Sequence, residues 1–158
     1  MIVDDHPIVI QGLGELINGE EDMEVCGHAE NVESALEAMA RETPDVAIVD
    51  LSLGEADGLR VIKACGVLHP AIPMLVYSMH HESLRAQEVM AAGARGYVMK
   101  QCPSQTLLAA LRQVLGGGTW VSERVAEQMA AAGAAAPRGR EAPAARKGGV
   151  HLARFRKS

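Results

Sequence analysis

This chain of 158 residues is poor in several things, and each shortage narrows what it can be. Aromatic side chains make up only 3% of it, although 48% is hydrophobic, so any core must be aliphatic. No apolar run approaches the roughly 18 residues that span a bilayer, and no membrane partner is expected. The start, Met1-Ile-Val-Asp-Asp, has neither the basic residues nor the apolar stretch of a secretory signal. There are three cysteines, Cys26, Cys65 and Cys102, far apart and without a C-x-x-C pair. That argues against a zinc site or a disulfide framework and fits reduced thiols in a cytoplasmic protein. His80-His81 lacks a third metal ligand at sensible spacing.

Charge is unevenly shared. Residues 1–130 carry 8 basic and 19 acidic side chains, a net −11, and residues 131–158 carry 7 basic and 1 acidic, a net +6. The final stretch is rich in Ala, Gly, Pro and Arg and has no apolar stripe, so 126–158 reads as a basic, disordered tail.

The rest alternates between two periodicities. Short apolar runs at Ile2-Val3, around Met23–Ala29, at Asp45–Asp50, Met74–Tyr77 and Tyr97–Met99 read as strands. Stretches with apolar residues three and four apart read as helices. They begin at His6-Pro7, at the capping Asn31, at Leu59, near Glu82 and at Cys102-Pro103. Five strands alternating with helices predict an α/β fold, a parallel sheet wound on both faces. Leu51 to Asp57 is expected to be a loop.

In such a sheet the carboxyl ends of the strands form the ligand crevice. The first strand ends in Asp4-Asp5, the third in Asp50, the fourth in Ser78 and the fifth in Lys100. Each placement has a plain explanation. Asp4-Asp5 can cap a helix, Asp50 and Ser78 can form turns, Lys100 can be solvated, and Tyr97 can be a core aromatic. Together they place three carboxylates, a hydroxyl and an ammonium on one rim. Clustered carboxylates repel one another, and a hard cation such as Mg²⁺ relieves that. An ionised Asp50 beside Mg²⁺ is a competent nucleophile for an acyl phosphate, with Lys100 to offset phosphoryl charge.

Val3-Asp-Asp-His-Pro7, Asp50-Leu51, Asp57-Gly-Leu59, Leu75-Val-Tyr-Ser-Met79 and Gly93-Ala-Arg-Gly-Tyr-Val-Met-Lys100 resemble a bacterial response-regulator receiver domain. The first and last of these are similar to the NarL/FixJ (LuxR-type) subfamily. The resemblance covers residues 1–125 and implies a flavodoxin-like receiver fold with strand order 2-1-3-4-5. It implies Asp50 as phosphoacceptor from a sensor histidine kinase in a two-component phosphorelay. Mg²⁺ would lie on Asp5, Asp50 and the Ser52 carbonyl, with Asp4 acting through water. Ser78 and Tyr97 match the switch pair, and Lys100 the lysine that meets the phosphoryl group. The protein would be no enzyme beyond self-phosphorylation and slow autodephosphorylation, would act in transcription, and would dimerise through the α4-β5-α5 or α1-α5 faces. Three departures stand out. The first strand has no apolar lead, Leu51-Ser-Leu-Gly54 replaces the family's usual Met-Pro after the acceptor, and residues 131–158 cannot form the helix-turn-helix that would bind DNA. One alternative is a DNA-binding regulator that has lost that domain. Another is an aspartyl-phosphate hydrolase, which the short loops disfavour for want of a cap over a substrate.

Overall fold

A computed structural model describes residues 1–133. The expected disorder of the tail therefore falls, beyond residue 133, outside the described residues. Five strands form one parallel sheet: β1 (Ile2–Val3), β2 (His28–Ala29), β3 (Ala47–Val49), β6 (Met74–Ser78) and β7 (Gly96–Met99), in the order β2-β1-β3-β6-β7. This is the expected 2-1-3-4-5 order of the sheet, with a small hairpin inserted. The hairpin is β4 (Ser52–Leu53) paired antiparallel with β5 (Ala56–Asp57), where a plain loop is expected. Gly54 turns it with φ +59°, a conformation that disfavours other residues.

Val46 to Val49 are all covered on both sides, as a central parallel strand requires. Of the Met23–Ala29 segment, only the last two residues form a strand, paired as Ile2↔His28 and Val3↔Ala29. The core is aliphatic, and among the described residues Tyr97 is the largest fully buried side chain.

Helices α1 (Pro7–Asn18), α2 (Val32–Glu42), α3 (Leu59–Leu68), α4 (Glu82–Ala91) and α5 (Ser104–Leu115) fill the crossovers. Asn31 caps α2 as expected, in a reciprocal box with Ser34. Thr43 ends that helix in the left-handed region at φ 44°, ahead of Pro44. A sixth helix, α6 (Glu123–Ala131), crosses the boundary expected at residue 125, with Val125 and Met129 buried. Its sequence signals are the cap Ser122, which accepts the Val125 N–H, and apolar residues four apart. Before it, Trp120 makes a one-residue parallel bridge to Gly96, beside β7. Among the described residues no helix is long and apolar enough to cross a membrane.

Because the strand order reverses between β1 and β3, the crevice at their carboxyl ends lies at the switch point of the sheet. Asp4, Asp5 and Asp50 follow those two strands directly.

Candidate functional site

Asp4 and Asp50 are only 2% and 3% exposed, so their charges have left most of their water and need partners. Lys100, at the end of β7, supplies one to both. Its Nζ donates to Asp4 Oδ2 at 2.6 Å and to Asp50 Oδ2 at 2.9 Å. Burial works to discharge this ammonium, but the two carboxylates outweigh it and hold its pKa above the usual lysine value. Asp4 spends its other oxygen on the backbone N–H of His6, at 2.9 Å. The N-cap of α1 is His6 and no side chain caps that helix, so Asp4 closes a turn just ahead of it with one oxygen and meets Lys100 with the other.

Asp50 differs. Its Oδ1 is buried with no hydrogen-bond partner, as is Asp5 Oδ1. Asp5 Oδ2 accepts the Gly54 N–H at 2.7 Å, which ties the hairpin after β3 to the end of β1. Asp4, Asp5, His6 and Asp50 each offer an atom such that all of these lie within 4.8 Å of one another. The bare Asp50 Oδ1, together with Asp5 Oδ1, whose near neighbour is the His6 ring, makes a mostly oxygen donor set that fits a hard divalent cation. His6 was not singled out by the sequence beyond opening the helix. Its Nδ1 stands 3.0 Å from Asp4 Oδ1 and 2.8 Å from Asp5 Oδ1.

The remaining site residues gather around one loop. Ser78 is wholly buried, and its Oγ accepts the His80 N–H at 3.2 Å. The Tyr97 hydroxyl donates to the His80 carbonyl at 2.9 Å, and burial raises its pKa. The ring of His80 lies 3.2 Å from Ser52 Oγ. Position 80 thus joins the Ser78 and Tyr97 hydroxyls to the loop after Asp50, a placement that spacing alone could not reveal.

Gly58 fixes how the third helix meets this site. Its N–H donates to the Leu51 carbonyl at 2.8 Å, and a Cβ there would lie 1.9 Å from the Asp50 carbonyl oxygen. Only a glycine lets α3 start this close to Asp50. Just before it, Asp57 caps α3 through the Leu59 N–H and takes Arg85 Nη2 at 2.6 Å.

Residues 1–112 match the family described as the response regulator receiver domain. The chain belongs to this family. As a receiver domain it is 34% identical over 132 residues to the methanol utilization control regulatory protein MoxX of Paracoccus denitrificans, covering 82% of this chain and 59% of that protein. It is 33% identical to the oxygen regulatory protein NreC of Staphylococcus haemolyticus, covering 82% of this chain and 60% of that one. Among solved structures, a LuxR-family two-component response regulator from Aurantimonas sp. SI85-9A1 superposes with a TM-score of 0.77 at 31% identity, over 84% of this chain and 94% of that one. The isolated REC domain of RcsB from Salmonella enterica serovar Typhimurium, in its apo form, gives 0.73 at 28% identity, over 82% and 96%. The receiver spans a little over half the length of the curated relatives it matches.

Proposed function

We propose that this receiver accepts a phosphoryl group on Asp50 from the phosphohistidine of a sensor histidine kinase, and that the modified domain then controls transcription. The observation that carries the reading is the asymmetry of the Asp50 carboxylate. One oxygen is held by Lys100, and the other is buried and bare.

That bare Oδ1 attacks phosphorus. The Oδ1–P bond forms as the P–N bond to the donor breaks, and the donor leaves as neutral imidazole when its other nitrogen carries a proton. Lys100 is already in place to offset the charge on the phosphoryl oxygens. Asp5, Asp50 and the Ser52 carbonyl, with Asp4 through water, would hold Mg²⁺, which supplies further charge neutralisation to the same oxygens. Lys100 also loosens from Asp4 as the phosphoryl group draws it, which makes Asp4 the carboxylate that trades partners. Ser78 turns its hydroxyl from the His80 N–H to a phosphoryl oxygen, and Tyr97 follows it inward. The face that changes is α4-β7-α5, the equivalent of the family's α4-β5-α5 surface. Apart from self-phosphorylation and slow loss of the group, no turnover is assigned.

Transcription as the output is supported by relatives such as the transcriptional regulatory protein DegU of Brevibacillus brevis. RcsB, a structural neighbour, has been solved as two dimers bound to two parallel DNAs. Dimerisation through the α4-β7-α5 or α1-α5 face is proposed here by that likeness. DNA binding is proposed only for a protein that also carries a helix-turn-helix.

The test is labelling with acetyl phosphate and Mg²⁺. Wild type should gain one acid-stable, base-labile phosphoryl group, and Asp50→Asn should gain none. Normal labelling of Asp50→Asn would remove the assignment.

A further inference from the structure

Helix α6 is held by the same element that borders the switch. Glu82, in the first turn of α4, is 7% exposed, and its Oε1 accepts the Ser122 N–H at 2.8 Å. Its carboxylate therefore serves two helix N-termini, that of α4 and that of α6, and both helix dipoles favour a negative charge there. Val125 and Met129 bury the apolar side of α6, which packs on α4.

Two further contacts tie α4 to the acceptor. Arg85, one turn along from Glu82, grips Asp57 on the hairpin that follows Asp50. The loop leading into Glu82 carries His80, whose N–H and carbonyl engage Ser78 and Tyr97. If Ser78 gives up the His80 N–H, the segment that loses a restraint ends two residues before Glu82. Behind this contact, Trp120 is anchored independently. Its carbonyl accepts the Tyr97 N–H at 2.8 Å, and its own N–H donates to the Arg95 carbonyl at 2.9 Å. The chain is fixed at Trp120 and clasped at Ser122, which is the arrangement of a hinge followed by a catch.

We propose that α6 is the read-out of the switch: Glu82 docks it on α4 in the resting receiver, and modification of Asp50 undocks it. This rests on Asp50 being the acceptor. Arg85 senses the acceptor hairpin, Glu82 holds the catch, and the two lie three residues apart on one rigid helix. Coupling of this kind is reciprocal. Whatever releases α6 must raise affinity for a phosphoryl mimic by the same factor that the mimic weakens docking.

The experiment follows amide hydrogen exchange across residues 119–131 of the full chain, with and without beryllium fluoride and Mg²⁺, in wild type, Glu82→Ala and Glu82→Gln. Loading is monitored by ¹⁹F NMR. Loading wild type should speed exchange at residues 122–129 by about tenfold or more, the scale of losing one hydrogen bond to a charged acceptor. Exchange at Tyr97 and Trp120 should change less. Glu82→Ala should speed the same amides without the mimic and bind beryllium fluoride more tightly, while Glu82→Gln, which keeps an acceptor oxygen, should fall between. Loaded wild type with unchanged exchange at 122–129 overturns the proposal alone. So does a Glu82→Ala protein whose α6 is freed but whose affinity for the mimic is unaltered. Failure to load at all brings down the acceptor assignment and this proposal with it.

Discussion

A single added methyl group at Gly58 should separate steric necessity from backbone freedom at this site. Gly58 has φ −56° and ψ −18°, a helical conformation that alanine adopts without strain. On propensity alone, Gly→Ala in a helix gains roughly 0.5–1 kcal/mol. Against that, the new Cβ would stand 1.9 Å from the Asp50 carbonyl oxygen and 2.9 Å from Leu51 Cα, both backbone atoms that no rotamer change can move. Restoring ordinary contact needs a backbone shift of more than 1 Å, beyond the overpacking that usually costs about 1–3 kcal/mol. The net expectation is a loss of about 2 kcal/mol or more. Gly12 and Gly14 of α1 are the controls, because a Cβ at either meets nothing within 4 Å. Alanine there should stabilise by roughly 0.5–1 kcal/mol each. Urea unfolding followed by circular dichroism reads all three signs, and with m near 1–3 kcal/mol/M the Gly58→Ala midpoint should fall by about 1 M. Because the clash is with the carbonyl of Asp50, the proposed acceptor, acetyl phosphate labelling of the folded variant should also slow. A Gly58→Ala protein as stable as Gly14→Ala would refute the reasoning.

Other consequences follow from the charges. Mg²⁺ at ten times its dissociation constant should raise the stability of wild type by about 1.4 kcal/mol, and Asp5→Asn should abolish that gain; thermal melts with Mg²⁺ or EDTA decide it. Lys100→Met strands two buried carboxylates and should cost about 3–5 kcal/mol at neutral pH, measured by urea unfolding; its side chain is only 9% exposed, so little solvent screening softens the loss. Asp57 is a smaller case. Burial pushes its pKa up, but the Leu59 N–H and Arg85 outweigh that and hold it below the usual value. A depressed carboxyl stabilises the fold above its unfolded pKa, and the contribution disappears as pH falls through the folded value. Below about pH 3.9, wild type should therefore lose stability faster than Asp57→Asn. The difference should stay under about 1 kcal/mol because the side chain is 42% exposed.

What could be read in advance divides by the range of the interaction. Val46 to Val49 and the stripe of α5 announce themselves because burial on a strand or one helix face writes a local pattern. Asp5, Asp50 and Lys100 were legible because parallel topology sends every strand end to one rim, so their sequence positions already imply neighbourhood. The twofold use of Lys100, by Asp4 as well as Asp50, was not. It depends on side-chain reach across 96 residues. The hairpin at Ser52–Asp57 escaped because two-residue strands carry no periodicity. Helix α6 escaped because its few apolar residues sit at the margin of an alanine-rich stretch, and its stability comes from α4 rather than from its own sequence. The backbone of His80, which no side-chain pattern reports, makes the contacts to Ser78 and Tyr97.

The bridge between Trp120 and Gly96 has a practical side. It occupies part of the outer margin of β7, whose four residues Gly96–Met99 would otherwise offer unpaired peptide groups beside apolar side chains. Bare margins of that sort recruit strands from other molecules and seed aggregation. A version of the domain ended at Leu115, the last residue of α5, would expose that margin. Keeping the next dozen or so residues is the better choice for anyone wanting soluble protein.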